Sequence, residues 1–211
     1  VVSGEGLTEA FYSIGATIVV PGGETMNPSV QELLYAVESA PAYDVIILPN
    51  NPNILLAANQ VTSLSPKNVE VVPSTTIPQG IAALLVLNHE ADLATNADAM
   101  RNSLSSVRSG EITTAVRSME YNGLSVNKGQ TVAFLDGKMV LADGDMTQVV
   151  LNLIAMMAVE EGGLITIYYG ADADSEEAER VAALVRDTYP AQEVELVAGG
   201  QPHYNYIVSV E

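Results

Sequence analysis

Residues Tyr43 to Gln60 read YDVIILPNNPNILLAANQ. A short apolar, β-branched run, Tyr43 to Leu48, gives way to a Pro-Asn loop and then to the start of a crossover helix. That order is the unit of a parallel sheet. The same grammar recurs on either side. Thr17–Val20 and Val69–Val72 read as further strands, joined by an opening strand at the start of the chain. Between them Val30, Leu33, Leu34 and Val37 fall at i, i+3, i+4 and i+7, which draws one apolar stripe down a helix that packs on the sheet. Proline marks each helix start, in Asn27-Pro28-Ser29, Asn51-Pro52-Asn53 and Ile77-Pro78-Gln79, where proline costs no hydrogen bond and the preceding Asn can cap free N–H groups. Three polar loops therefore end three strands, and a parallel sheet gathers them at its carboxyl edge, the usual place for a ligand.

After Asn88 the pattern changes. A helix is expected from Asp92 to Val107, with Leu93, Ala97, Met100, Leu104 and Val107 on one face. Short strands follow at Glu111–Arg117, Thr131–Leu135 and Lys138–Leu141, with hairpin turns at Asn122-Gly123 and Asp136-Gly137. A second helix, Asp145 to Ala158, carries Met146, Val149, Val150, Leu153, Ile154 and Met157 at helical spacing, so its methionines read as core. The chain then returns to βαβ form: strand Leu164–Tyr169, a helix capped near Asp174-Ser175 and ended by Tyr189-Pro190, and strands Glu193–Val197 and Tyr206–Val210. The expected architecture is α/β in two subdomains, residues 1–90 with a mostly parallel sheet flanked by helices and residues 91–211 mixed. Val20-Pro21-Gly22-Gly23-Glu24 echoes Val197-Ala198-Gly199-Gly200-Gln201, a short internal repeat.

At 211 residues and 22.2 kDa the chain can bury a real core without metal or disulfide, since a chain of this mass covers roughly 70% of the surface its unfolded form exposes. It has no cysteine. That removes disulfides, thiolate nucleophiles and cysteine metal sites, and fits a reducing, cytoplasmic setting. The longest apolar run, Ile81 to Leu87, is far too short to insert in a membrane. The opening Val1-Val2-Ser3-Gly4 lacks Met and any export signal, so the chain reads as a piece of a longer protein.

Twenty-six acids against eight bases give a net charge of −18, a surface that repels nucleic acid and anionic membranes. Between Met139 and Glu179 stand Asp143, Asp145, Glu160, Glu161, Asp172, Asp174, Glu176, Glu177 and Glu179, with no Lys or Arg. The block is a candidate face for a basic partner. Acidic helix starts and solvated loops are a second reading of it, and salt adaptation a third.

The catalytic motifs fail on inspection. A dinucleotide fingerprint begun by Gly4-Glu5-Gly6 would put Glu9 where its third glycine belongs. Gly137-Lys138 lacks the upstream glycine of a phosphate loop, and Ser125 to Lys128 spells S-x-x-K inside a hairpin rather than at a helix start. Asp172 and Asp174 open like a calcium loop, but Glu177 takes the glycine position and Ala183 the closing carboxylate position. His89 and His203 have no zinc-ligand spacing, and no Gly-x-Ser-x-Gly elbow occurs.

Four phrases, Gly22-Gly23-Glu24-Thr25-Met26-Asn27-Pro28-Ser29, Leu48-Pro49-Asn50-Asn51, Val72-Pro73-Ser74-Thr75-Thr76-Ile77-Pro78-Gln79-Gly80 and Gly199-Gly200-Gln201-Pro202-His203-Tyr204, resemble the C-terminal domain of the YloV-type, or FakA, family of fatty acid kinase catalytic proteins. Members have often been labelled dihydroxyacetone kinase-like, or DAK-family, proteins. The resemblance spans nearly the whole chain, in order. It implies that the ATP-binding domain and a catalytic cysteine and histidine cluster lie upstream, so this piece does not phosphorylate alone and no cofactor is expected in it. It also implies a fold related to DegV-type fatty acid-binding proteins, in two α/β subdomains. The partners it implies are the acyl-loaded DegV-like carrier, FakB, and the upstream kinase domains. Carrier docking would suit an acidic face.

The same kinship implies a rival, a lipid or small-carboxylate site on the polar loops. Thr25-Met26-Asn27-Pro28-Ser29 looks like the carboxylate-binding Thr-Ser-Gln-Pro-Ser loop of DegV proteins, with Met26 in place of the inner serine. The candidate loop residues are Gly22, Gly23, Thr25, Asn27, Ser29, Asn50, Asn51, Asn53, Thr75, Thr76, Gln201 and His203. The glycines and Asn-Pro pairs have a plainer reading as tight turns and helix caps.

Overall fold

The computed structural model describes residues 1–121, 124–157, 159–160 and 162–211, with nothing stated of the Leu124 side chain. The expected Asn122-Gly123 turn therefore lies outside the described residues, as does Glu161. The fold is α/β, and the chain divides into two units: Val1–Ser3 with Leu7–Val107, and Gly4–Gly6 with Arg108–Glu211.

In the first unit, strands β1 (Asp44–Ile47) and β2 (Asn68–Val71) pair in parallel. Helices α2 (Val30–Ser39) and α3 (Leu55–Leu64) cover one face of the pair, with Leu33, Val37, Ile47, Ile54, Ala58 and Val61 as its core. Helix α1 (Glu5–Ser13) begins in the second unit and continues into the first. Helices α4 (Ile77–Leu85) and α5 (Leu93–Ser103) pack together, and α5 also packs on β1 and β2. Met100 of α5 is buried and Arg101 pairs with Glu70 of β2. This is why the division falls between Val107 and Arg108 rather than near residue 90: the apolar stripe of α5 belongs to the first sheet. The helix itself stops at Ser103, short of Val107.

Thr17–Val20 does not form the expected strand. One parallel bridge, Val2 to Pro21, is all that joins this stretch and the chain start, with Val2 N–H on the Val20 carbonyl at 3.1 Å and Gly22 N–H on the Val2 carbonyl at 3.2 Å. Two caps also differ. α2 is capped by Ser29, which with Glu32 forms a reciprocal capping box, and Pro28 stands outside the helix. α3 follows Ile54 without a side-chain cap, because Asn51 turns its oxygen to Asn53 N–H at 2.8 Å instead. Only α4 carries proline in its first turn, with Thr76 as the cap.

The carboxyl ends of β1 and β2 are clasped. Asn50, in the left-handed region at φ 56°, donates its backbone N–H to Ser74 Oγ at 3.1 Å and accepts the Ser74 hydroxyl on Oδ1 at 2.7 Å. Its Nδ2 donates to the Val1 carbonyl at 3.0 Å. Gly80 of α4 leaves room for this side chain, since a Cβ there would stand 2.1 Å from Asn50 Oδ1.

The second unit is built on a mixed sheet, in which β7 (Lys138–Asp143), β6 (Thr131–Leu135), β3 (Arg108–Thr114), β10 (Tyr206–Val210), β8 (Leu164–Tyr169) and β9 (Glu193–Ala198) lie in that order. β8 and β9 are parallel and every other neighbour is antiparallel. The carboxyl ends of β3, β7, β8 and β9 thus share one edge. Helices α6 (Met146–Met156) and α7 (Ser175–Thr188) cover one face, over a core that includes Val150, Leu153, Ile154, Ile167, Val181 and Tyr206. The α6 methionines behave as read: Met157 is buried, and Met146 packs against the core. A Cβ at Gly110 would sit 2.6 Å from the Leu153 side chain, so glycine lets α6 approach. A hairpin absent from the sequence reading, β4 (Met119–Tyr121) and β5 (Leu124–Val126), joins a small cluster with Ala115, Val132 and Met139. Asp136 (φ 49°) and Gly137 (φ 77°) form the expected tight turn between β6 and β7, both left-handed as such a turn requires.

Two measurements follow from the clasp and the chain start. Gly80→Ala should destabilise the chain by about 1–3 kcal/mol in denaturant unfolding, despite alanine's better helix propensity, because Asn50 must leave its partners. Burial pushes the Val1 amine from 8.0 down to about 5. The unfolded chain then holds a proton that the native chain lacks between those values, so thermal stability should rise with pH from 5 to 8. Acetylating the amine should flatten that rise.

Candidate functional site

The polar loops of the first unit do meet. The loop after β1 and the loop after β2 are joined by Asn50 and Ser74, and Asn51 Nδ2 donates to Glu24 Oε1 at 2.6 Å, which ties in the Gly22–Ser29 loop. Gly22 is buried, and a Cβ on it would meet Pro28, Val1 and the Met26 carbonyl at 2.7–2.9 Å. The glycine here serves a close approach. Gly23 N–H closes the loop on the Met26 carbonyl at 3.1 Å.

Their polar groups are largely spent on one another. Ser29 Oγ accepts from Glu32 N–H at 3.2 Å, and both Ser29 N–H and Oγ reach Glu32 Oε2 at 2.8 Å. These bonds hold the Glu32 carboxyl below the usual carboxylate range. Thr75 N–H and Oγ1 both bond Gln79 Oε1, at 2.7 and 2.9 Å, and Thr76 accepts Gln79 N–H as the α4 cap. Asn51 and Asn50 are satisfied as described above. Asn27, Asn53 and Thr25 are exposed. A carboxylate arriving at this edge would therefore meet two carboxylates, Glu24 and Glu32, already on the donors that could have held it.

Gln201 and His203 belong to the second unit, in the loop from β9 to β10. Gly199 and Gly200 turn here against Gly4–Gly6: a Cβ on Gly6 would come within 1.7 Å of the Ala198 carbonyl oxygen, and one on Gly4 within 2.6 Å of that of Gly199. Gln201 is buried, donating Nε2 to the Tyr168 carbonyl at 2.9 Å, and its Oε1 has no hydrogen-bond partner among the described residues. His203 is exposed at φ 72°, with its carbonyl accepting the Thr113 hydroxyl at 2.5 Å.

The acids of the base-free block divide by sheet edge. Asp143 ends β7 and Asp145 caps α6; Asp172 follows β8 and Asp174 caps α7, accepting from the N–H groups of Glu176 and Glu177. All these, with Glu176 and Glu177, stand toward the edge where β7 and β8 end. Glu160 precedes β8 and stands toward the opposite edge. Glu179 pairs with Arg186 at 2.9 Å. Asp172, Glu176 and Glu177 are exposed and close no ion pair among the described residues.

Among the described residues no group of three or more His, Asp or Glu is placed to hold a metal ion, and no helix is long and apolar enough to cross a membrane. The residues that the sequence reading missed are Ser74, Glu24, Glu32 and Gly80. Glu32 had a legible signal, since Ser29-Val30-Gln31-Glu32 is a capping-box spacing. Ser74 had none apart from its place in a loop.

Comparison with known proteins fits this geometry. The chain is 40% identical to the protein YloV of Bacillus subtilis over 211 residues, all of this chain and 38% of that relative's length. In structure it is similar to the DegV family protein Cg2579 of Corynebacterium glutamicum, with a TM-score of 0.68, 17% identity and coverage of 96% of this chain and 92% of the other. It is also similar to the fatty acid kinase B3 protein of Streptococcus pneumoniae, solved loaded with linoleic acid, with a TM-score of 0.63, 9% identity and coverage of 87% and 76%. These likenesses show a DegV-like fold. The FakA-like C-terminal family of fatty acid kinases matches residues 1–211 from end to end, and the chain belongs to that family.

Proposed function

We propose that this domain docks an acyl-loaded, DegV-like carrier of the FakB type for a bacterial fatty acid kinase. The upstream domains of the same polypeptide would then phosphorylate the acyl carboxyl group. Family membership supplies the kinase context. The observation that carries the docking reading is the set of exposed carboxylates Asp172, Glu176 and Glu177 at one sheet edge, without an ion pair among the described residues, and with Asp143 and Asp145 toward the same edge. Such charge steers a basic partner and selects among partners more than it adds raw affinity. Asp174 has a second duty as a cap, and Glu179 is engaged by Arg186, so neither is a clean docking group.

The carboxylate-binding rival has less behind it. Its central hydroxyl, on Ser29, is taken by Glu32, and the Asn51 amide by Glu24. Expelling either internal carboxylate for a ligand's would exchange one charge-assisted bond for another and gain little.

Glu176→Lys with Glu177→Lys, in the kinase polypeptide, should weaken carrier binding by about tenfold or more and slow association, as loss of steering charge does. Glu160→Lys, at the other edge, should leave affinity within about twofold. Glu176→Gln with Glu177→Gln controls for the helix dipole, which the two acids also favour. Equal affinity in the reversal and control variants would remove these residues from the interface.

A further inference from the structure

The first unit contains a cavity of about 460 Å³ at the edge of β1 that faces away from β2. Its side walls are Ala16–Val20 and Asp44–Leu48, two extended stretches, and its roof and floor come from Leu33 and Val37 of α2 and from Leu84 and Met100 of α4 and α5. It therefore lies in the plane of the sheet, between the helical layers. A strand of five residues is about 17 Å long, and the Asp44–Leu48 wall runs that full length.

Backbone directions say what fits. In β1, Ile47 turns its carbonyl to Val72 N–H and Tyr43 its carbonyl to Asn68 N–H. Alternation then aims the Ile46 carbonyl and the Leu48 N–H and carbonyl at the cavity side. Leu48 confirms this, since its carbonyl accepts the Val1 amino nitrogen at 2.6 Å. On the other wall, Val20 and Gly22 bond Val2, so the same alternation aims the Ile18 carbonyl and the Val20 N–H inward. Val1-Val2 forms one rung between the walls, running parallel to both. Its amino nitrogen lines the cavity and is enclosed by protein. A buried ammonium is costly there, whereas an amide is not.

We propose that the cavity is a strand slot, taken by apolar residues joined to the Val1 nitrogen in the longer polypeptide, which pair with both walls and complete a four-stranded parallel sheet. The register is fixed by Val1. The second residue before it donates to the Ile46 carbonyl and accepts from Leu48 N–H. The residue immediately before it donates to the Ile18 carbonyl and accepts from Val20 N–H. With helices on both faces, the strand should be apolar on both sides, as buried parallel strands are. The relatives are long enough to supply it, since this chain spans only 38% of YloV. The inference stands apart from the docking reading: the domain's first sheet would be continuous with the chain that links it to the rest of the kinase.

Hydrogen exchange on the longer polypeptide, resolved to single amides, tests this with an internal reference. The Leu48 and Val20 amides should exchange within about tenfold of Ile47, whose N–H lies in the β1–β2 ladder. Exchange of both at the rate of exposed loop amides would overturn the proposal. So would native mass spectrometry showing a small apolar molecule retained by the longer polypeptide while those amides stay fast.

Discussion

The side chain of Asn50 is the constraint around which the first unit is arranged. A parallel pair of strands has no turn to hold its carboxyl ends together, and β1 and β2 are only four residues each. Asn50 and Ser74 supply the missing tie with two reciprocal bonds, and Asn50 Nδ2 adds the chain start. The group is buried, so each lost bond would leave a desolvated donor or acceptor, worth about 1–3 kcal/mol. Three sequence features serve it: left-handed backbone at Asn50, which asparagine tolerates, glycine at residue 80, and serine after Pro73. Residues that look like ligand donors in the sequence are thus framework.

This bears on function. An open α/β sheet offers its carboxyl edge to ligands because loop donors there are free. Here the edge of the first unit is closed by its own carboxylates, Glu24 and Glu32, and by Gln79. The DegV-like fold persists while the donors at this edge have been turned to internal use. In the second unit the corresponding edge carries exposed acids, two of which, Asp145 and Asp174, are helix caps. Their charge thus has both a folding role and a surface consequence, and only Asp143, Asp172, Glu176 and Glu177 are left largely to the surface.

How much could be read beforehand depended on whether the signal was local. Leu164–Tyr169 and Tyr206–Val210 were legible to the residue because uninterrupted apolar runs bury both faces of a strand. Asp136-Gly137 and the Asp145 and Asp174 caps were legible because a turn or cap is decided by a few neighbours. Thr17–Val20 has strand composition but lacks a ladder partner, and a strand exists only in its pairing. The stripe on α5 announced a helix without saying which sheet it covers, so the division was placed too early. The Asn-Pro loops were found where expected, gathered at one edge, but the capping went to Ser29 and Thr76, and Asn50 and Asn51 went to the clasp. Bonds between residues more than twenty apart, such as Asn50 to Ser74 and Asn51 to Glu24, leave no spacing signature.

The central claim is that this domain recognises a loaded carrier protein and does not itself hold the acyl carboxylate. Calorimetric titration of the chain tests it most directly, with the DegV-like carrier at low and high salt and with free long-chain fatty acid. The account predicts saturable carrier binding that weakens as salt screens exposed charge over about 10 Å at 0.1 M, and no saturable heat with the fatty acid. Stoichiometric fatty acid binding, with no carrier binding at either salt, would contradict it.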